Sequence, residues 1–452
     1  MQTTLRTAIL FLVAPVLGLA LNASLAAQER VLTAGLRTHT DPSFSPDGVW
    51  VAYQALGKLH VKPAAGGIEL TAFDAGQQMT YLWQANSASL LVFSKDELFQ
   101  TSRDGGTTRR LAKLDGKGVS DFFFIGPTQT FVYGVRRVGF KTFVIRVRLG
   151  NGALEDLITV IPGVSSVDVD PSGKKLLITA TEFLWTYRFF TADLDGKNVV
   201  TLNTKALASV TNHGRWLDDG KNFVFSHTGA YAALHSGFQV WQMAVATGTA
   251  RPLGWMPHQV RGVPMLSSDR KSIVIPEHRP GQGTSRAVIL PADGGGLTLL
   301  SDIYFQMGDR IRWSPNGKSV VYVGHPQRNK GADVRLYDLS RLTRLAPAVR
   351  PGKVSQVTLP LNPREVGAMF MGFGLAKTPI TLPGLKGQFE LDLVKGLFVL
   401  GSGANSELKL SFGVPNDNKL IGLPIYVQGL RVLFGGASGD FPRPMVVPIV
   451  PN

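Results

Sequence analysis

Short apolar runs follow small polar turns at regular intervals along most of this sequence. The turn is plainest at residues 45–48, which read Ser-Pro-Asp-Gly, and at residues 314–317, which read Ser-Pro-Asn-Gly. Each turn leads into an apolar run, at residues 49–53 and 320–323. Asp-Gly and Asn-Gly reverse the chain between two strands because Gly accepts a positive φ without a Cβ clash. The pattern predicts strand, tight turn, strand.

Weaker copies of the same pattern fill the interval between these two turns. They precede the apolar runs at residues 90–93, 131–133, 176–178, 223–225 and 273–275. Successive copies lie roughly 40–50 residues apart, which is the period of propeller blades. A second small turn, such as Asp104-Gly105 or Asp195-Gly196, keeps step with the first, as a four-stranded blade requires. The repeats predict an all-β chain built around a seven-bladed β-propeller.

The repeated phrase resembles the TolB-like propeller repeats, whose signature reads Trp/Phe-Ser-Pro-Asp-Gly. Residues 44–48 and 313–317 carry the match best, and the resemblance covers roughly residues 30–345. It implies a ring of small sheets; TolB itself has six blades, so a six-bladed ring is the alternative to the seven counted here. The family includes periplasmic scaffolds that bind other envelope proteins and non-catalytic halves of peptidases. Such repeats specify a fold and leave the function open.

The N-terminus predicts export. Residues 1–27 begin with a short basic segment, continue with an apolar stretch over residues 8–20, and end with small residues at 24–26. This is the pattern of a cleaved signal peptide. The apolar stretch is shorter than the ~20 residues that span a bilayer. We therefore expect a periplasmic or extracellular protein with no transmembrane segment after cleavage.

The remaining chain divides into a propeller, a joint and a C-terminal domain. The propeller is predicted at residues 28–346, and residues 31–33 are predicted to complete its last blade from the N-terminal side, which covers exposed strand edges. Residues 347–357 contain the prolines and glycine of a linker. Residues 358–452 alternate apolar and polar positions and predict a small β-sandwich. Residues 414–428 resemble a small C-terminal domain of secreted bacterial proteins.

Composition narrows the classes of partner. The formal net charge of +15 favours acidic partners such as anionic glycans, membrane head groups or nucleic acid. The basic residues are spread over the whole chain, which favours a solvated basic surface over a nucleic-acid interface. The absence of cysteine excludes disulfides, thiolate metal sites and a cysteine nucleophile. No Gly-x-Ser-x-Gly elbow and no phosphate-binding loop occur, so we predict no catalytic residues.

Three histidines are the strongest hint of a specific site. His227, His278 and His325 each end the second strand of a repeat, in three successive repeats. Equivalent positions in adjacent blades share a face of the ring, so the three imidazoles would suit a divalent metal there. The alternative is that this strand simply ends in a polar residue. No cofactor is therefore predicted, and a divalent metal is kept as the competing hypothesis.

A basic cluster lies at the equivalent connection of the third repeat. Arg136, Arg137 and Lys141 would face an acidic partner there, or else belong to a solvated hairpin tip. Together with His227 and its two counterparts, they are the predicted partner-binding residues.

Three functions fit these observations. The first is an exported, non-enzymatic propeller that binds a protein or a cell-envelope component, including an acidic glycan, through one face of the ring. The second is a metal-dependent lyase or hydrolase that acts on an acidic polysaccharide. The third is a structural domain of a larger surface assembly.

Overall fold

The computed structural model describes most of the propeller and parts of the C-terminal region. The described residues are 29–33, 39–77, 79–114, 116–160, 163–181, 187–202, 211–227, 238–255, 259–260, 263–279, 284–294, 297–303, 311–324, 332–339, 344–345, 354–361, 365–372, 375–380, 385–386, 389–391, 397–403, 407–414, 424–433, 439–440 and 445–448. They form strands and turns, which confirms the predicted all-β class. Among them, none forms a helix with the length and apolar character that crossing a bilayer requires.

Two compact units make up the described chain. The first consists of Val31–Ala287 and Asp302–Tyr337. The second takes in the described residues of Met1–Arg30, Val288–Ser301 and Asp338–Asn452.

The first five blades are antiparallel sheets of four strands, paired in chain order. We label the strands of each blade A to D, from the axis outward. Their bounds, blade by blade, are His39–Phe44, Trp50–Ala55, Lys58–Pro63 and Leu70–Asp74; Thr80–Trp83, Ser89–Ser94, Glu97–Ser102 and Thr108–Lys113; Val119–Ile125, Phe131–Val138, Lys141–Arg148 and Leu154–Val160; Gly163–Val169, Lys175–Thr181, Tyr187–Asp193 and Val200–Thr201; Thr211–Trp216, Asn222–His227, Phe238–Ala244 and Ala250–Trp255.

Two further repeats bring the ring to seven blades, as predicted, and the six-bladed alternative is wrong. The strands of the sixth repeat are Gln259–Val260, Met265–Leu266, Ser272–Arg279, Thr284–Pro291 and Leu297–Ile303. Those of the seventh are Arg312–Trp313, Ser319–Gly324 and Asp333–Asp338, and its fourth strand is the N-terminal Glu29–Val31.

The N-terminal segment closes the ring, as the sequence predicts. The Leu32 N–H donates a hydrogen bond to the Val334 carbonyl oxygen at 2.8 Å. The Val334 N–H donates to the Thr33 hydroxyl at 2.9 Å, and both Leu32 and Thr33 are buried. The last blade is thus completed by the N-terminal strand, which leaves fewer unpaired strand edges.

The repeated turn phrase has a local physical reason. In the first blade, Asp47 Oδ1 accepts hydrogen bonds from the Ser45 hydroxyl and from the Val49 N–H, the latter at 3.0 Å. In the seventh blade, Asn316 accepts the two equivalent bonds at 2.8 and 2.9 Å. Gly48 completes the turn with a φ of 74°. A side-chain acceptor that satisfies its own turn explains why Asp and Asn recur at this position.

Strand B of each of the first four blades packs against both neighbouring blades. In Ser89–Ser94 all six residues are buried. Leu90 and Val92 join the apolar cluster shared with the first blade, whereas Leu91 and Phe93 join the cluster shared with the third. A strand buried on both faces reads as a continuous apolar run, which is the pattern that marks each repeat.

Two sheets of the second unit share an apolar core. Its strands after the seventh blade are Arg344–Leu345, Val354–Pro360, Glu365–Gly372, Leu375–Ile380, Leu385–Lys386, Phe389–Leu391, Leu397–Gly403, Glu407–Gly413, Pro424–Leu433, Gly439–Asp440 and Met445–Pro448. Val357 and Phe412 from one sheet pack in one apolar cluster with Met369 and Val427 from the other. Residues 354–360 form a strand that begins inside the predicted linker. The β-sandwich and the domain boundaries stay predictions.

Removing the ring-closing hydroxyl should weaken the propeller. Thr33→Val leaves the buried Val334 N–H without its acceptor, so we expect the free energy of unfolding to fall by about 1–3 kcal/mol. Thr201→Val makes the same change at an exposed position on an outermost strand and should have little effect. The midpoints of urea unfolding measure both. Equal midpoints for the two variants would contradict the role of this bond.

Asp170 should make the fourth blade sensitive to acid. Burial opposes its ionisation, but hydrogen bonds from the Ser172 hydroxyl and from the N–H groups of Lys174 and Lys175 outweigh it and lower the pKa of the carboxyl. A folded-state pKa below the unfolded value of about 3.9 adds stability above that pH, and the gain disappears as the pH falls through the folded pKa.

Asp170→Asn should therefore lower the unfolding midpoint at pH 7 and flatten its decline on acidification. Asp218→Asn, at an exposed neighbouring turn, is the matched control. Unfolding midpoints measured from neutral to acid pH test this, and an unchanged acid profile for Asp170→Asn would exclude it.

Candidate functional site

A cavity of about 380 Å³ lies where the A strands of five successive blades converge. Its polar lining includes Asp121, Asp168, His213, Arg215, Arg270 and Arg312, which come from the third to the seventh blade. Strand A is the innermost strand of each blade, so this is an axial pocket of the ring. The volume falls within the range of pockets that bind small molecules.

Asp168 organises the charges of the axial pocket. Its Oδ2 accepts a hydrogen bond from the Trp216 N–H at 2.9 Å. Arg215 Nη1 lies 3.8 Å from Asp168 Oδ1, and Arg270 Nη1 lies 3.9 Å from Asp168 Oδ2. All three charged side chains are largely shielded, with 18–23% of their surfaces exposed. One carboxylate therefore holds two guanidinium groups beside the cavity.

Arg270 ties three blades together at one end of the pocket. It belongs to the A–B turn of the sixth blade and has a φ of 55°, which is uncommon for a residue with a side chain. Its guanidinium donates to the Trp216 carbonyl oxygen at 2.7 Å and to the Val169 carbonyl oxygen at 3.1 Å. These contacts reach the fifth and fourth blades, whereas the turn itself is held locally by the Arg270 N–H, which donates to the Ser267 carbonyl oxygen at 2.8 Å.

A bulge places His213 on the pocket wall. The register between strands A and B of the fifth blade shifts between Asn212 and Arg215. Gly214 lies in this bulge and its N–H donates to the Thr179 hydroxyl at 2.9 Å. A Cβ at Gly214 would come within 2.8 Å of the Leu177 side chain, so any other residue here would displace Leu177 where the two blades approach each other.

Arg312 and Asp121 complete the charged lining. Arg312 lies in strand A of the seventh blade, and its Nη1 is 3.3 Å from Met265 Sδ. Asp121 Oδ1 accepts hydrogen bonds from the Thr80 hydroxyl at 2.9 Å and from the Phe122 N–H at 2.8 Å. Three guanidinium groups and an imidazole thus share the pocket with two carboxylates. Such a lining favours an anionic ligand with planar oxygen acceptors.

The predicted histidines fall only partly within the described residues. His227 is the last residue of Asn222–His227 and pairs with Thr211, and His278 pairs with Gln259 near the end of Ser272–Arg279. His325 lies outside the described residues. Within the part of the chain that is described, no three His, Cys, Asp or Glu side chains are placed to hold a metal. The metal site stays a prediction, and no chemical step is derived from it.

The predicted basic cluster divides into two parts. Arg136 donates a hydrogen bond to Asp156, and its guanidinium lies 4.7 Å from the ring centre of Phe143. The hydrogen bond to Asp156 raises the pKa of Arg136. Arg137 and Lys141 are exposed on the adjoining hairpin. Arg136 is therefore held by its own blade, and partner binding by the other two stays a prediction.

The sequence analysis did not identify the axial pocket, although one local signal for it exists. Arg215-Trp216 and Arg312-Trp313 both stand directly before an A–B turn. Asp168 occupies the equivalent position in the fourth blade. Equivalent A-strand positions of successive blades converge at the axis of the ring. Charged residues at these positions could therefore have been predicted to lie close together.

Comparisons with known proteins support the fold. No family model matches the chain, and no curated protein matches it. The structure is similar to an oligogalacturonate lyase in complex with manganese, at 13% identity and a TM-score of 0.57, and to an oligogalacturonate lyase from Vibrio parahaemolyticus, at 12% identity and 0.58. Each match covers 69% of this chain and 93% of the other.

A TolB structure from Acinetobacter baumannii matches at 17% identity with a TM-score of 0.42, and covers 67% of this chain and 80% of that one. In its fold this chain is a β-propeller, as the resemblance to the TolB-like repeats implies.

Metal analysis of the purified protein tests the histidine hypothesis. If the three histidines bind a divalent ion, the wild type retains it through dialysis and His278→Ala loses it, because the ion depends on every ligand. His213→Gln alters a histidine in the axial pocket and should retain the ion. Absence of metal in the wild type, or its retention by His278→Ala, would exclude the site.

Proposed function

We propose that the protein is an exported propeller that binds an acidic ligand of the cell envelope in its axial pocket. The observation that supports this most directly is the convergence of Arg215, Arg270 and Arg312 on one cavity. Export rests on the predicted signal peptide, and the periplasm or the extracellular space is the proposed location.

The chemistry of the pocket suggests a carboxylate-bearing saccharide. Planar guanidinium groups bind carboxylates through paired hydrogen bonds, and their shielding from water strengthens the attraction. Phe123 and Phe124 also line the cavity and offer an apolar wall for the C–H face of a sugar ring. Two similar structures are named oligogalacturonate lyases, and a galacturonate chain carries a carboxylate on each sugar. A short acidic oligosaccharide therefore fits the pocket by charge and size.

Protein binding through one face of the ring remains a separate hypothesis. The candidate residues are His227, His278 and His325 together with Arg137 and Lys141. The internal ion pair of Arg136 with Asp156 makes that residue a weaker candidate.

A second candidate function is a lyase that acts on an acidic polysaccharide. The observation that favours it is that His213 lines the same cavity as the three arginines. In such a reaction a base removes the proton from the carbon next to the carboxylate, the bond to the leaving sugar oxygen breaks as a double bond forms, and the leaving oxygen takes a proton from water. Guanidinium groups stabilise the charge that develops on the carboxylate, and His213 would be the base.

Calorimetric titration with short galacturonate oligomers tests the binding proposal. We expect the wild type to bind the galacturonate oligomers and to show no binding to neutral galactose oligomers of equal length. Arg215→Gln should weaken binding about tenfold or more, because a charge-assisted hydrogen bond is lost. Arg109→Gln makes the same change at an exposed position on an outer strand and should leave the affinity unchanged.

Two results would overturn the binding proposal. One is equal affinity for charged and neutral oligomers. The other is growth of absorbance near ~235 nm during incubation, the signal of the unsaturated product of base-catalysed elimination. In that case the lyase is favoured, and loss of the signal in His213→Gln would identify the base.

A further inference from the structure

Three neighbouring blades carry very short B–C turns. They are Leu56-Gly57 in the first blade, Lys95-Asp96 in the second and Gly139-Phe140 in the third, each directly between two strands of its sheet. Equivalent turns of adjacent blades lie on the same face of a propeller. These hairpin tips are therefore neighbours on one surface of the ring.

Two of these tips expose large apolar side chains. Phe140 is 94% exposed and Leu56 is 68% exposed, and Val138 beside the third tip is 48% exposed. Within 4 Å of the place where a Cβ of Gly139 would lie there are no other atoms, so the third tip stands clear of the blade. The apolar groups are thus presented to the outside of the molecule.

Leu56 occupies a backbone conformation that is unfavourable for leucine. Its φ is 53°, and this position of a two-residue turn ordinarily takes Asn, Asp or Gly. A leucine here combines backbone strain with exposure of apolar surface to water. The backbone strain and the exposed apolar surface both make leucine unfavourable here in the isolated protein. This points to a contact of Leu56 with another molecule or surface.

Basic side chains surround the exposed apolar groups. Lys95, Lys117, Arg137 and Lys141 are all exposed on these turns and on the segment that joins the second and third blades. Lys117 adjoins Gly118, whose carbonyl oxygen accepts a hydrogen bond from the Arg137 N–H at 2.7 Å. We call this set, with Leu56, Val138 and Phe140, the B–C hairpin surface.

Most of the described acidic groups near the B–C hairpin surface are paired. Asp74 lies 2.9 Å from Lys58, and Glu97 lies 2.9 Å from Arg110. Asp96 belongs to the second tip itself. Among the described residues of this surface, positive charge therefore predominates around the apolar tips.

We infer that the B–C hairpin surface docks on an anionic lipid bilayer, with Phe140 and Leu56 inserted among the head groups. Isolated apolar side chains on separate tips suit a fluid interface, whereas a protein partner requires a continuous packed core. Lys and Arg around them would lie beside the lipid phosphates, where an anionic surface attracts them within a Debye length. This inference is independent of the axial pocket and its ligand.

Flotation with lipid vesicles tests the inference. The wild type should bind vesicles of phosphatidylglycerol mixed with phosphatidylcholine, bind phosphatidylcholine alone much more weakly, and be released by high salt. Phe140→Ser and Leu56→Asn should each weaken binding about fivefold or more, because apolar surface no longer inserts. Leu56→Asn also suits the turn, so its folded state is not endangered.

Ile68→Ser is the matched control. Ile68 is 81% exposed but follows the C–D turn of the first blade, on the other face of the ring, so its loss should leave vesicle binding unchanged. Replacing Arg137 and Lys141 together by Gln should weaken binding to anionic vesicles and reduce its salt dependence.

Several outcomes would overturn the inference. They are failure of the wild type to bind anionic vesicles, undiminished binding by both apolar variants, and an equal loss in Ile68→Ser. Binding to polyglutamate without binding to vesicles would assign the surface to an acidic protein instead. Arg215→Gln should bind vesicles like the wild type, which separates this surface from the axial pocket.

Discussion

Closure of the ring through the backbone of Val334 is the constraint on which the other features of the propeller depend. The N-terminal segment donates to and accepts from this residue, with Leu32 and Thr33 buried beside it. Without that pairing the seventh blade would lack its outer strand and expose an edge. With it, the A strands of successive blades face a common axis. The axial pocket exists because residues from five blades converge there.

Local turn chemistry and long-range contacts contribute differently to this arrangement. Asp47 and Asn316 satisfy their own turns, so these A–B turns are defined by a few consecutive residues. The turn of Arg270 is satisfied in the same local way, because Asp269 Oδ1 accepts from the Ser267 hydroxyl and the Lys271 N–H. The Arg270 side chain adds long-range contacts to backbone oxygens of two other blades. The same residue belongs to the pocket wall, so packing of the blades and the charge of the pocket are linked.

The basic residues of the chain lie in two distinct environments in the structure. Inside the ring, Arg215 and Arg312 are part of a shielded lining that suits a small acidic ligand. Outside, Arg137 and Lys141 flank the exposed Phe140 and suit an extended anionic surface. Arg136, by contrast, pairs with Asp156 within its blade. The two proposals are compatible, because a propeller could bind an acidic ligand in its axial pocket while its B–C hairpin surface contacts a membrane.

The sequence by itself determined the blade architecture, the ring closure and the turn positions, because these depend on short-range patterns. Each of these features is recognisable from a few consecutive residues: the apolar runs, the Asp-Gly turns and the segment at residues 31–33. The axial pocket was decided by tertiary structure alone, since Asp168, His213 and Arg270 meet only through the curvature of the ring. The ion pair between Arg136 and Asp156 could not be predicted from the sequence either, because the two residues lie two strands apart in the sheet.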